Sequence, residues 1–130
     1  MLFRSYYMFD ESALNGFSVD LVNERVNNTS YRLIGTRELQ TLTLTEILDE
    51  HLGGNQQITF LNVDVEGHDL KILRSNDWNK YQPEVVLLEI LSCPIDCLVT
   101  NTVYQFLTEK HYKLYAKTVS TAIFIRRDLG

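Results

Sequence analysis

One stretch of this chain constrains its fold more than any other. The run Ile58-Thr59-Phe60-Leu61-Asn62-Val63-Asp64-Val65-Glu66-Gly67 is followed, after a short helical pattern, by Glu84-Val85-Val86-Leu87-Leu88-Glu89-Ile90-Leu91. Runs rich in β-branched and aromatic residues read as strands. The second is nearly continuous in apolar residues, as strands covered on both faces of a parallel sheet tend to be. In the first, Leu61, Val63 and Val65 point to one side and Asn62, Asp64 and Glu66 to the other, because successive side chains alternate. Residues 58–66 are therefore expected to form an interior strand, ended by Gly67.

The flanking segments fit the same scheme. Thr43-Leu44-Thr45-Glu46 matches a capping box, and Leu44, Ile47, Leu48 and Leu52 recur behind it at helical spacing, which predicts a helix over 44–52. Gly53-Gly54-Asn55-Gln56-Gln57 is a connection. Leu70, Ile72 and Leu73 begin a short helix that stops before Asn76-Asp77-Trp78, and residues 100–111 carry a stripe of Val103, Phe106, Leu107 and Lys110. Tyr112-Lys113-Leu114-Tyr115-Ala116 and Ala122-Ile123-Phe124-Ile125 read as two strands joined by a short polar link. A short strand is expected at 31–34, followed by the polar Gly35-Thr36-Arg37-Glu38. Residues 1–30 show little regular pattern beyond the Asn15-Gly16 turn, although Phe3, Tyr6, Tyr7, Phe9 and Phe17 need something to pack against. The order helix, strand, helix, strand, helix, strand pair is that of an α/β protein with a parallel sheet. A single domain over 1–130 is expected, with 1–35 poorly defined and 41–127 recognisable.

Composition excludes some functions. The 130 residues carry a formal charge of −5, so an extended phosphate-binding surface is not expected and nucleic acid is set aside as a partner. No segment offers the roughly 20 apolar residues that cross a bilayer, and the first residues lack the pattern of a secretory signal, which points to a cytoplasmic protein. Cys93 and Cys97 are too few for a disulfide framework and lack a second ligand pair for zinc, so two reduced thiols and no metal site are expected.

Ligands of parallel α/β sheets lie beyond the carboxyl ends of the strands, where Asp64, Glu66 and Glu89 fall. A buried carboxylate at such a place needs a partner, since desolvating the charge is costly. Asp64 and Glu66 are candidates for a general base, a pair of metal ligands or an acceptor of cofactor hydroxyls. Alternatively, Asp64 caps the turn and Glu66 begins the next helix. Glu89 either faces the site or pairs with an internal Arg or Lys. His68 either donates to a substrate or faces solvent at a helix start.

The segment 60–74, with Asp64-Val65-Glu66-Gly67 at its centre, and the following Tyr81-Gln82-Pro83 with its Glu-bearing apolar strand closely resemble the signature of FkbM-type methyltransferases. Thr43-Leu44 with Ile47-Leu48 is similar to that family's Thr-Leu helix start. The sequence departs from the family at Asn62, where Lys is common, and at Ser75, where Gly is common.

The resemblance implies the carboxyl-terminal half of a class I methyltransferase (Rossmann-like) sheet, ending in an antiparallel strand pair. It implies S-adenosylmethionine as cofactor and methyl transfer to a hydroxyl oxygen of a small molecule or glycan. Asp64, Glu66 and His68 would be catalytic, and Glu89 would bind substrate. A carboxylate such as Asp64 or Glu66 would accept the hydroxyl proton or hold a divalent ion. The family's glycine-rich cofactor turn and the acidic residue ending its second strand have no counterpart in these residues, so the cofactor-binding residues stay unassigned. The rival is a noncatalytic remnant that serves as an interaction module and self-associates through an exposed sheet edge. A nucleotide or metal-phosphoester α/β protein would explain the acidic strand end but not the Pro-strand-Glu sequel.

Overall fold

The structure, a computed structural model, describes residues 2–54, 56–65, 67–91 and 93–130. It is a mixed α/β protein with two sheets and four α-helices among the described residues. The chain divides into two compact units, Met1–Leu42 and Thr43–Gly130.

In the first unit, β1 (Leu2–Phe9) pairs antiparallel with β2 (Leu33–Thr41), and α1 (Val19–Asn28) lies between them in sequence. The Ser18 hydroxyl accepts the Leu21 N–H at the start of α1. Phe9 and Val22 are the buried apolar side chains of this unit, and Tyr6 packs on Phe17 with ring centroids 5.0 Å apart. Gly35 faces Met8 so closely that an added Cβ would stand 3.0 Å from the Met8 methyl. The Asp10 carboxylate accepts the Arg32 backbone N–H at 2.9 Å, a bond that holds its pKa below the usual value. Both ends of this unit are more regular than their sequence suggests. Residues 2–9 and 19–28 are regular, and the polar stretch after residue 34 continues the strand rather than ending it.

The second unit has the expected order of elements: α2 (Leu44–His51), β3 (Phe60–Val63), α3 (Asp69–Arg74), β4 (Val85–Glu89), α4 (Thr102–Glu109), β5 (Tyr112–Lys117) and β6 (Thr121–Arg126). The sheet order is β3-β4-β6-β5, with β3 parallel to β4 and β6 antiparallel to both of its neighbours. The capping box of α2 is formed: Thr43 Oγ1 accepts the Glu46 N–H and the Glu46 carboxylate accepts the Thr43 N–H. Ser75, the departure noted above, ties α2 to the end of α3. Its hydroxyl accepts the Leu44 N–H at 2.9 Å, a bond that glycine could not supply.

Two expectations about the first long strand fail. It runs over Phe60–Val63 rather than 58–66, and it is an edge strand paired only with β4 rather than an interior one, among the described residues. A strand run in sequence does not reveal how many neighbours it has, and Phe60 is 63% exposed.

One face of the sheet carries the core. Val63, Val86, Leu88, Ala122 and Phe124 pack with Leu73 of α3, Leu107 of α4 and Trp78. The Trp78 ring meets Phe106 and Tyr112 edge-on, with centroids 5.9 and 5.5 Å away, and its indole N–H donates to the Leu73 carbonyl at 2.8 Å. On the opposite face Leu87 and Ile123 are only half-buried. The buried Tyr112 hydroxyl donates to the Pro83 carbonyl at 2.5 Å, and burial pushes its pKa from 10.0 up to about 12.

Because the folded-state pKa of Tyr112 is raised, its contribution is complete below the ordinary tyrosine value of about 10 and is lost as pH rises toward the folded value. Urea unfolding followed at increasing alkaline pH should show this loss in the native chain. Tyr112→Phe should flatten that part of the profile, and an unchanged profile would show that Tyr112 does not titrate there.

Candidate active site

The end of β3 and the start of α3 are joined by a turn whose shape follows from one glycine. The His68 N–H donates to the Val65 carbonyl at 3.2 Å, and Gly67 has φ 88. A tight turn with a positive φ at its third position favours glycine there, since a Cβ is strained in that region. The turn lets Leu70 and Leu73 of α3 fall back onto the core while Asp64 and His68 stay at its flanks.

Strand register sets what lies beside them. Val63 is the side-by-side partner of Leu88, so the next residues along the two chains are Asp64 and Glu89. Adjacent strands run about 4.8 Å apart, which puts both residues within reach of one small ligand. Asp64 and Glu89 are exposed and His68 is half-buried. Among the described residues none of these three side chains has a hydrogen-bond or ion-pair partner. Among the described residues, therefore, Asp64 makes no capping bond to the turn and Glu89 no pair with an internal Arg or Lys. Glu66 lies outside the described residues. With water on both exposed carboxylates, their mutual repulsion is screened.

The carboxylate that does hold the turn is one the sequence reading overlooked. Asp69 is only 8% exposed, and its Oδ2 accepts the Gly67 N–H at 3.2 Å. The available signal was an acid two residues beyond a glycine at a helix start, the spacing at which an Asp side chain can reach a backbone N–H.

Other features lie elsewhere. Asn62, which stands where Lys is common, is exposed. Cys93 is half-buried and Cys97 exposed, both as free thiols. Among the described residues no three His, Cys, Asp or Glu side chains gather as a metal site would require. A shallow polar cleft of about 230 Å³, lined by residues such as Gln57, Lys80 and Arg126, opens at the amino ends of β3 and β4, opposite Asp64 and Glu89. No described helix is long and apolar enough to cross a membrane.

Two neighbouring parallel strands of this mixed α/β protein thus end in exposed carboxylates that have no partner among the described residues. A family model, the methyltransferase FkbM domain, matches residues 4–114. The chain belongs to this family, and methyl transfer is the chemistry that membership indicates. The match runs through both units, well beyond the segment that carries the resemblance in sequence. No curated protein and no solved structure matches the chain.

A methyl donor of the S-adenosylmethionine type needs a cradle for its methionine and ribose. The paired glycines Gly53-Gly54 precede β3, at the end away from Asp64, and Gly67 is the only glycine with positive φ among the described residues. The described residues thus do not fit a glycine-rich cofactor turn, and only chemistry on the acceptor side is assigned to them.

Proposed function

We propose that this chain carries the acceptor side of an S-adenosylmethionine-dependent O-methyltransferase site, which acts on a hydroxyl of a small molecule or glycan. The observation that carries the proposal is the pair of carboxylates, Asp64 and Glu89, without partners among the described residues, ending two neighbouring parallel strands in a chain of the FkbM family. The strand order, with the reversed β6 between β4 and β5, supports reading the second unit as the closing part of a class I methyltransferase sheet. The cofactor cradle would then be formed by residues other than those described. Free thiols at Cys93 and Cys97 suit a cytoplasmic location, which we include in the proposal.

The roles follow from the chemistry of the groups. A hydroxyl becomes a nucleophile as its proton leaves, and Asp64, exposed and unpaired, accepts that proton as general base. Glu89 accepts a hydrogen bond from a second hydroxyl of the acceptor and fixes its orientation, while His68 on the adjoining turn donates to an acceptor oxygen. Glu66 is proposed as a second catalytic carboxylate on the strength of the family motif alone.

General bases contribute about 100-fold or more to rate, so Asp64→Asn should lower methyl transfer from S-adenosylmethionine by at least that factor while leaving the circular dichroism spectrum unchanged. Unchanged turnover would remove Asp64 from the mechanism. Calorimetry of the purified chain with S-adenosylmethionine separates the two readings: saturable binding would show a cofactor site within this chain, and no heat of binding would favour the noncatalytic alternative.

The unpaired side of β3 favours that alternative, an interaction module which associates with itself. Edge strands offer free N–H and C=O groups to another chain, and Phe60 adds an exposed apolar side chain. In that case sedimentation should show the mass rising with concentration and Phe60→Lys should hold the chain monomeric. A native chain that is monomeric at every concentration would exclude self-association.

A further inference from the structure

Asp69 is buried although it stands at a helix start, where an exposed acid would favour the helix dipole equally well. Burial strips a carboxylate of water, so its place needs an interaction that solvent exposure would not provide. One such interaction is present: Oδ2 accepts the Gly67 N–H at 3.2 Å. The other oxygen, Oδ1, is buried with no hydrogen-bond partner among the described residues, so nothing else in the described fold accounts for the acid. The accepted N–H belongs to the glycine with φ 88, in the turn closed by His68 N–H and the Val65 carbonyl. That turn separates Asp64 from His68.

We infer that Asp69 is a positioning residue of the candidate site: by binding the Gly67 N–H it fixes the turn that sets Asp64 and His68 relative to each other. It acts through Gly67 and need not touch a ligand. Asn at this position keeps an acceptor oxygen in the same place, whereas Leu fills the buried space and accepts nothing. A role in packing alone would be satisfied by Leu; a role in positioning would be satisfied only by Asn.

The test is amide hydrogen exchange on the full chain, read at Gly67 by nuclear magnetic resonance, together with the His68 imidazole signals. Asp69→Leu should speed Gly67 exchange by about tenfold, the scale of losing one buried hydrogen bond, and should move the His68 signals. Asp69→Asn should leave both close to the native chain. Equal Gly67 exchange in the Leu variant and the native chain would overturn the inference. Should the Leu variant fail to fold, the native chain decides: a Gly67 amide that exchanges at the free-chain rate overturns it, and a protected one that stays protected in Asp69→Asn supports it.

The consequence for the site rests on the methyl-transfer proposal. There, Asp69→Leu should slow methyl transfer from S-adenosylmethionine about tenfold, and Asp69→Asn should not. Turnover unaffected in the Leu variant would count against positioning. A native protein that transfers no methyl group would reject the methyl-transfer proposal, leaving the exchange comparison to judge Asp69.

Discussion

The parallel pairing of β3 with β4 is the constraint on which the rest of the second unit depends. Val63 beside Leu88 and Leu61 beside Val86 turn apolar side chains onto the face where Leu73, Trp78 and Leu107 lie. Because side chains alternate, a slip of one residue would turn Asn62 toward that core and expose Val63, which fixes the register strongly. The same register brings Asp64 and Glu89 to the strand ends together, so the core packing and the candidate site have one cause. Gly67 then completes the arrangement by reversing the chain into α3, whose Leu73 returns to the core.

Much of this unit was legible in the sequence because its elements carry local signals. Thr43 and Glu46 are spaced for a capping box and form one, and Val85 to Glu89 form the strand their apolar run suggests. The closing strand pair is legible for the same reason, since Ile123 and Phe124 alternate between faces beside Leu114. The first unit was not. β1 and β2 have few buried side chains, so their burial imposes no alternation that a reader could find, and their pairing joins residues as far apart as Leu2 and Thr41.

Within the site, the positions of Asp64 and Glu89 followed from strand ends, but their surroundings did not. Whether β3 has one neighbour or two depends on which other strands are present, and the residues of β3 itself are apolar in either case. Asp69 was missed because a helix-start acid ordinarily faces water, and only the fold reveals that this one is buried against the Gly67 N–H. Ser75 shows the reverse: a departure from the family pattern visible in sequence becomes intelligible once its hydroxyl is seen to bind the start of α2.

The two ends of the parallel strands offer different chemistry, carboxylates at one and the polar cleft near Lys80 and Arg126 at the other. Mapping backbone amide shifts of the full chain as hydroxyl-rich acceptors such as simple sugars are added would tell which end takes the acceptor. Methyl transfer at the carboxyl end requires the largest changes at Asp64, Gly67, His68 and Glu89. Changes centred on Ile58, Tyr81 and Arg126, or none anywhere, would contradict it.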